Sequence, residues 1–166
     1  MYEFGGEDSR SGMKKSTSNE VVCRACLDDL PEICRIVTDA ARHCGMEDGN
    51  LWKLETSIDE ACTNIACYGY RGNPNGTITI RWECRGDNFL VTIEDNGMPF
   101  DQTQPTHPDF TTNICQRKVG GLGRYIMRQF LDGMDYRRKN NTNTLILVKK
   151  LCKNSRTPCC SDSKAS

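Results

Sequence analysis

Three short stretches, in a fixed order and each at the edge of a different kind of element, limit the possible folds of this chain most strongly. Glu60 and Asn64 sit one helical turn apart in LETSIDEACTNIACYGY, where Leu54, Ile58, Ala61 and Ile65 make one apolar stripe. Asp95-Asn96-Gly97 ends a strand-like run, Phe89 to Glu94. Gly120-Gly121-Leu122-Gly123 then opens a second helical stretch, Leu122 to Leu131. A polar helix face, a turn after a strand and a glycine-led helix, in that order, suit helices laid over a sheet.

The intervening patterns supply both layers. Glu20 to Leu27 is a short strand candidate, and Leu30 to Cys44 has helical apolar spacing at Leu30, Ile33, Cys34, Val37, Ala40 and Ala41. Pro31 fits the first turn of that helix and Gly45 its end. Asn50 is the expected cap of the next helix, which runs through about Tyr68. In Thr77 to Cys84, Ile78, Ile80 and Trp82 alternate with polar residues, and Arg85-Gly86-Asp87-Asn88 joins this strand to Phe89–Glu94 as a hairpin. Asp101 to Val119, broken by Pro105 and Pro108, reads as a long loop, and Thr144 to Leu151 as a final strand. The order β, α, α, β, β, loop, α, β predicts an α+β fold: a two-layer sandwich whose mixed, mostly antiparallel sheet is covered on one face by helices. The domain is expected over residues 20–152, between polar tails at 1–19 and 153–166.

Composition excludes several classes. A chain of 166 residues supports one real core and little more. Lys plus Arg equals Asp plus Glu at 22 each, so no net field draws in nucleic acid or an anionic membrane. The longest strongly apolar run, Leu145 to Val148, is far short of the roughly 20 residues of a membrane helix. MYEFGGEDSR has neither the basic start nor the apolar stretch of a secretory signal, which points to a soluble, cytoplasmic protein. The cysteine count, 11, is odd. Cys62, Cys67 and Cys84 fall inside expected elements, where free cysteine acts as a small apolar residue, so a disulfide framework is not expected. Cys23 and Cys26 lie on a strand candidate pointing to opposite faces, with no second pair at zinc-finger spacing, which argues against a metal there.

The placed residues carry chemistry. Glu60 and Asn64 can face one groove, where an amide oxygen beside a carboxylate can hold magnesium and orient a nucleophile near a phosphate; the alternative is an exposed polar face. Asp95 can accept a hydrogen bond from an exocyclic amine, with Gly97 allowing close approach to a flat ring, or the triplet is an ordinary turn. Gly120, Gly121 and Gly123 can expose helix-start amides to phosphates, or form a flexible joint. No Gly-Lys-Ser/Thr follows, so this is not a Walker loop.

Together these segments resemble the anti-sigma-factor serine kinases of the RsbW and SpoIIAB type, members of the ATPase superfamily shared by gyrase, heat-shock chaperones, histidine kinases and mismatch-repair ATPases. SIDEACTNIACYGY is similar to the family's asparagine box, IEDNGMPFD to its first glycine box, GGLGRYIMRQFLDGMDY to its second and TLILVKK to its last strand. The resemblance covers about residues 20–152. It implies ATP and Mg2+ as cofactors, with Glu60 the general base for a substrate serine and Asn64 the magnesium ligand. It also implies Asp95 and Gly97 at the adenine, Gly120, Gly121, Leu122 and Gly123 at the phosphates, Thr144 near the adenine pocket and the loop ending at Val119 as a lid. Tyr68 and Pro99 depart from the family pattern. The implied activity is that of a protein serine kinase and anti-sigma-type switch that phosphorylates a STAS-domain antagonist, sequesters a partner such as a sigma factor, and forms a homodimer. The rivals are a nucleotide-binding regulator that lacks kinase activity and acts by sequestration, a histidine-kinase ATPase domain, and a non-catalytic interaction module.

Overall fold

The computed structural model describes residues 14–15, 19–71, 73, 75–105 and 121–152. Six strands form one sheet: β1 (Lys14–Lys15), β2 (Glu20–Arg24), β3 (Thr77–Arg85), β4 (Asn88–Asp95), β5 (Gly133–Lys139) and β6 (Thr142–Lys150). They lie in the order β1-β2-β3-β4-β6-β5 and every neighbouring pair is antiparallel. Three helices, α1 (Leu30–His43), α2 (Asp48–Asn64) and α3 (Gly121–Phe130), cover one face. This is the expected α+β sandwich.

Alternation selects the covered face. Phe89, Val91 and Ile93 of β4 and Leu145 and Leu147 of β6 are buried, while Leu90, Thr92, Ile146 and Val148 between them are partly exposed. Against that row pack Ile33, Val37 and Ala41 of α1, Leu54, Ile58 and Ala61 of α2, and Met127 of α3. Trp52 meets Phe130 edge to face, with ring centroids 4.7 Å apart, joining α2 to α3. Past Asn64, α2 widens into a π turn, Ile65–Gly69.

Several expectations are corrected. β5 was not anticipated; it forms a hairpin with β6 around Asn140 and Asn141, whose φ angles of 50° and 63° are left-handed values that asparagine tolerates. Asn50 lies inside α2 rather than capping it: it is buried, and its Nδ2 donates to Lys150 O at 3.0 Å. Cys84 is not a free cysteine but forms a disulfide with Cys44, with Cα atoms 6.7 Å apart. Lys14–Lys15, in the stretch expected to be a tail, pairs with β2. Of the expected lid, residues 106–119 lie outside the described residues, and 101–105 are anchored: Asp101 Oδ1 accepts from Thr103 N at 2.9 Å, and Arg128 Nη1 donates to Thr103 O at 2.6 Å.

Candidate active site

The C-terminal turn of α2 and the first turn of α3 face one another. Asn64 is 2% exposed, and its Nδ2 donates both to Glu60 Oε1 at 3.0 Å and to Gln102 Oε1 at 3.1 Å. Gln102, equally buried, donates its own Nε2 to Ala61 O at 3.1 Å. A Cβ added at Gly123 would run into the Glu60 carboxyl group, so glycine at the start of α3 is what lets the two helices bring that carboxylate to the α3 N-terminus. Beside Gly121 an added Cβ would meet nothing within 4 Å, and Leu122 is 43% exposed. Gly120 lies outside the described residues.

At the end of β4, Asp95 is buried, and its Oδ1 accepts from Gly97 N and from Asn143 Nδ2, each at 2.8 Å. Burial pushes the Asp95 carboxyl above the usual carboxylate range, against the lowering effect of those two bonds and of Arg138. Asn143 is in turn held through its Oδ1, which accepts from Arg138 Nη1 at 2.6 Å and Tyr136 OH at 2.8 Å. Gly97 also has a packing reason. A Cβ there would come 2.7 Å from the Gly69 backbone, and Met98 N donates to Gly69 O at 2.8 Å, so the glycine lets this loop dock on the π turn of α2.

Thr144 is corrected outright. It pairs with Glu94, while Asn143 pairs with Asp95, and successive strand residues face opposite sides. Thr144 therefore points away from Asp95. The alternation of Leu145 and Leu147 already implied this, since stepping back by two from Leu145 reaches Asn143. Gln102 and Gly69 are the other residues the sequence reading missed, and nothing local marks them. Tyr68 and Phe100 form a wall nearby, with ring centroids 5.6 Å apart, and the Arg124 guanidinium lies 5.4 Å from the Phe100 centroid.

A buried carboxylate with one oxygen fixed by the backbone, and an amide beside a carboxylate at a helix N-terminus, are a donor set that suits an amine-bearing base at one end and a metal-bound phosphate at the other. A family model described as the histidine kinase-like ATPase domain matches residues 23–149. The chain belongs to the histidine kinase-like ATPase domain family.

Within that family it is similar to the anti-sigma F factor of Clostridium perfringens, 26% identical over 100 residues that make up 60% of this chain and 71% of that one. It is also similar to the anti-sigma F factor of Anoxybacillus flavithermus, 29% identical over 62% of this chain and 71% of the relative. The serine-protein kinase RsbW of Bacillus subtilis is 29% identical over 69% of this chain and 72% of its own length. These relatives agree with the resemblance read from the three boxes. A solved histidine kinase domain from Erythrobacter litoralis EL346 is 14% identical with a TM-score of 0.47; the match covers 83% of this chain and 65% of that structure, just under two thirds of its length. Membership of this ATPase domain family implies that the protein uses ATP. Among the described residues no group of three or more His, Cys, Asp or Glu side chains could hold a metal ion. No described helix is long and apolar enough to cross a membrane.

Proposed function

We propose that the protein is an ATP- and Mg2+-dependent protein serine kinase that phosphorylates a STAS-domain antagonist and also sequesters a partner, such as a sigma factor, working as a cytoplasmic homodimer. The observation that carries the reading is the Glu60 carboxylate, held against Gly123 at the N-terminus of α3 with Asn64 bonded beside it. Similarity to relatives named anti-sigma F factor and serine-protein kinase supports it.

Bound magnesium and ATP supply the transferable phosphoryl group and charge to offset its oxygens. Asp95 accepts from the adenine amine with the carboxylate oxygen that Gly97 and Asn143 leave open. Asn64, both of whose Nδ2 protons are spent on Glu60 and Gln102, would hold the metal through its amide oxygen. Amides at the start of α3, from Gly121 to Gly123, face the phosphates where the helix dipole favours negative charge. Glu60 accepts the proton of the serine hydroxyl as it attacks.

The test is incubation with magnesium, labelled ATP and STAS-domain proteins. Glu60→Gln keeps the shape of the site, so ATP affinity should hold while phosphoryl transfer falls by roughly 100-fold or more. Transfer at the normal rate by Glu60→Gln would remove Glu60 as the base. ATP binding by the wild-type chain without any transfer would favour the sequestering regulator that lacks kinase activity.

A further inference from the structure

Gln102 belongs to neither helix of the site, yet its side chain is 2% exposed and inserted between Ala61 and Asn64. Its orientation is dictated by chemistry. The Ala61 carbonyl only accepts, so the Gln102 group facing it must be the NH2, at 3.1 Å. The Gln102 oxygen then faces Asn64 and demands a donor, which Asn64 Nδ2 supplies at 3.1 Å. The second Nδ2 proton goes to Glu60 Oε1. Reversing Asn64 would set its oxygen against two acceptors at once. Among the described residues no donor reaches Asn64 Oδ1, and that oxygen is the atom a hard cation takes.

We infer that Gln102 is a positioning residue that locks the Asn64 amide with its oxygen toward the metal. The inference rests on Asn64 being the magnesium ligand. The lock has a use that Glu60 alone cannot serve. A carboxylate that accepts a proton during turnover stops being a pure acceptor, and Asn64 would then be free to turn; the backbone carbonyl behind Gln102 never changes its character.

The experiment compares ATP affinity by calorimetry with magnesium and with the metal chelated, for the wild type, Gln102→Met and Gln102→Glu. Gln102→Met fills the same space without either hydrogen bond. It should leave metal-free ATP affinity unchanged and reduce the enhancement given by magnesium by roughly 10-fold or more, the usual scale for losing a ligand's supporting partner. Gln102→Glu keeps the acceptor toward Asn64 and should retain more of the enhancement than Gln102→Met, which also serves should the methionine variant fold poorly. Equal magnesium enhancement in all three proteins overturns the inference, as does a loss in Gln102→Met that is the same with and without metal, the mark of a merely structural role. If magnesium gives the wild type no enhancement, it is Asn64 as metal ligand that fails, a result distinct from the other two.

Discussion

Gly123 and Glu60 occupy so nearly the same space that each limits the other. A methyl group at position 123 meets the end of a flexible side chain rather than backbone, so Glu60 can swing aside and the fold survives. Gly123→Ala should therefore melt at the wild-type temperature or above it, since alanine is favoured over glycine inside a helix by up to about 1 kcal/mol. The displaced carboxylate should cost roughly 100-fold in phosphoryl transfer. Melting curves beside steady-state rates check both signs, and an unchanged rate would mean that the position of Glu60 does not matter. At Asp95 the surroundings fix the outcome of a conservative change. Gly97 N and Asn143 Nδ2 both donate to one oxygen, so Asp95→Asn must keep its carbonyl there and turn its NH2 toward the ligand's amine. Donor would meet donor, costing roughly 1 to 3 kcal/mol of ATP binding, while the ligand-free protein, relieved of a buried charge, should melt no lower at neutral pH. Calorimetry that finds unchanged affinity would take Asp95 out of the site. What the sequence revealed here was residue type at element ends: a carboxylate and an amide one turn apart, an Asp before a glycine, glycines before a helix. What it hid were the contacts that orient them, because Gln102 sits in an aperiodic stretch where nothing marks it as buried.

At the scale of elements, Cys44 and Cys84 join the exit of α1 to the end of β3 across 40 residues of chain. Closing a loop of that length restricts the unfolded chain by about 4 kcal/mol in the chain-entropy account. Dithiothreitol should therefore lower the melting temperature of the wild type and leave Cys84→Ser unmoved. Superimposable wild-type melts with and without reductant would show that the link contributes nothing. Sequence could not have paired these two cysteines, since neither periodicity nor spacing reports that a helix exit and a strand end meet. It did reveal α1, α2, the β3–β4 hairpin and β6, all of which have a buried stripe or row of regular period, and also α3, of which Met127 alone is buried. β5 escaped because it is an edge strand with only Met134 and Tyr136 apolar and alternating, followed by Arg138. Its signal was the Asn140-Asn141 pair, a turn dipeptide between two strands rather than a hydrophobic pattern.

For the molecule as a whole, the acid limb of stability is set by carboxylates outside the site. Asp29, 6% exposed just before α1, is gripped by Arg24 through Nε at 3.1 Å and Nη2 at 2.9 Å, and these bonds hold its carboxyl below the usual carboxylate range. Burial alone would raise Asp132, but the Lys149 ammonium at 2.6 Å and Lys150 N at 2.8 Å outweigh it and keep that group low too. A carboxyl whose folded pKa is depressed binds its proton more weakly than in the unfolded chain. Its stabilisation is present above the unfolded value and is lost as pH falls through the folded one. Asp95 has the opposite sign: its folded pKa is raised, so its charge costs stability at neutral pH and protonation relieves that cost as the medium acidifies. Asp29→Asn should therefore be less stable than wild type at neutral pH, with the gap closing below about pH 4, where the carboxyl of the unfolded chain begins to bind protons. Asp95→Asn should start level with the wild type or above it, and lose any advantage in a less acidic range than that, as pH falls through the raised folded value of Asp95 to the unfolded one. Urea unfolding of the three proteins across a pH series reads both slopes at once. A gap between Asp29→Asn and wild type that stays constant with pH would mean that the Arg24 contact stabilises through packing rather than through the charge on Asp29, and the acid limb would then fall to Asp132 and Asp101, whose carboxyls are also held low.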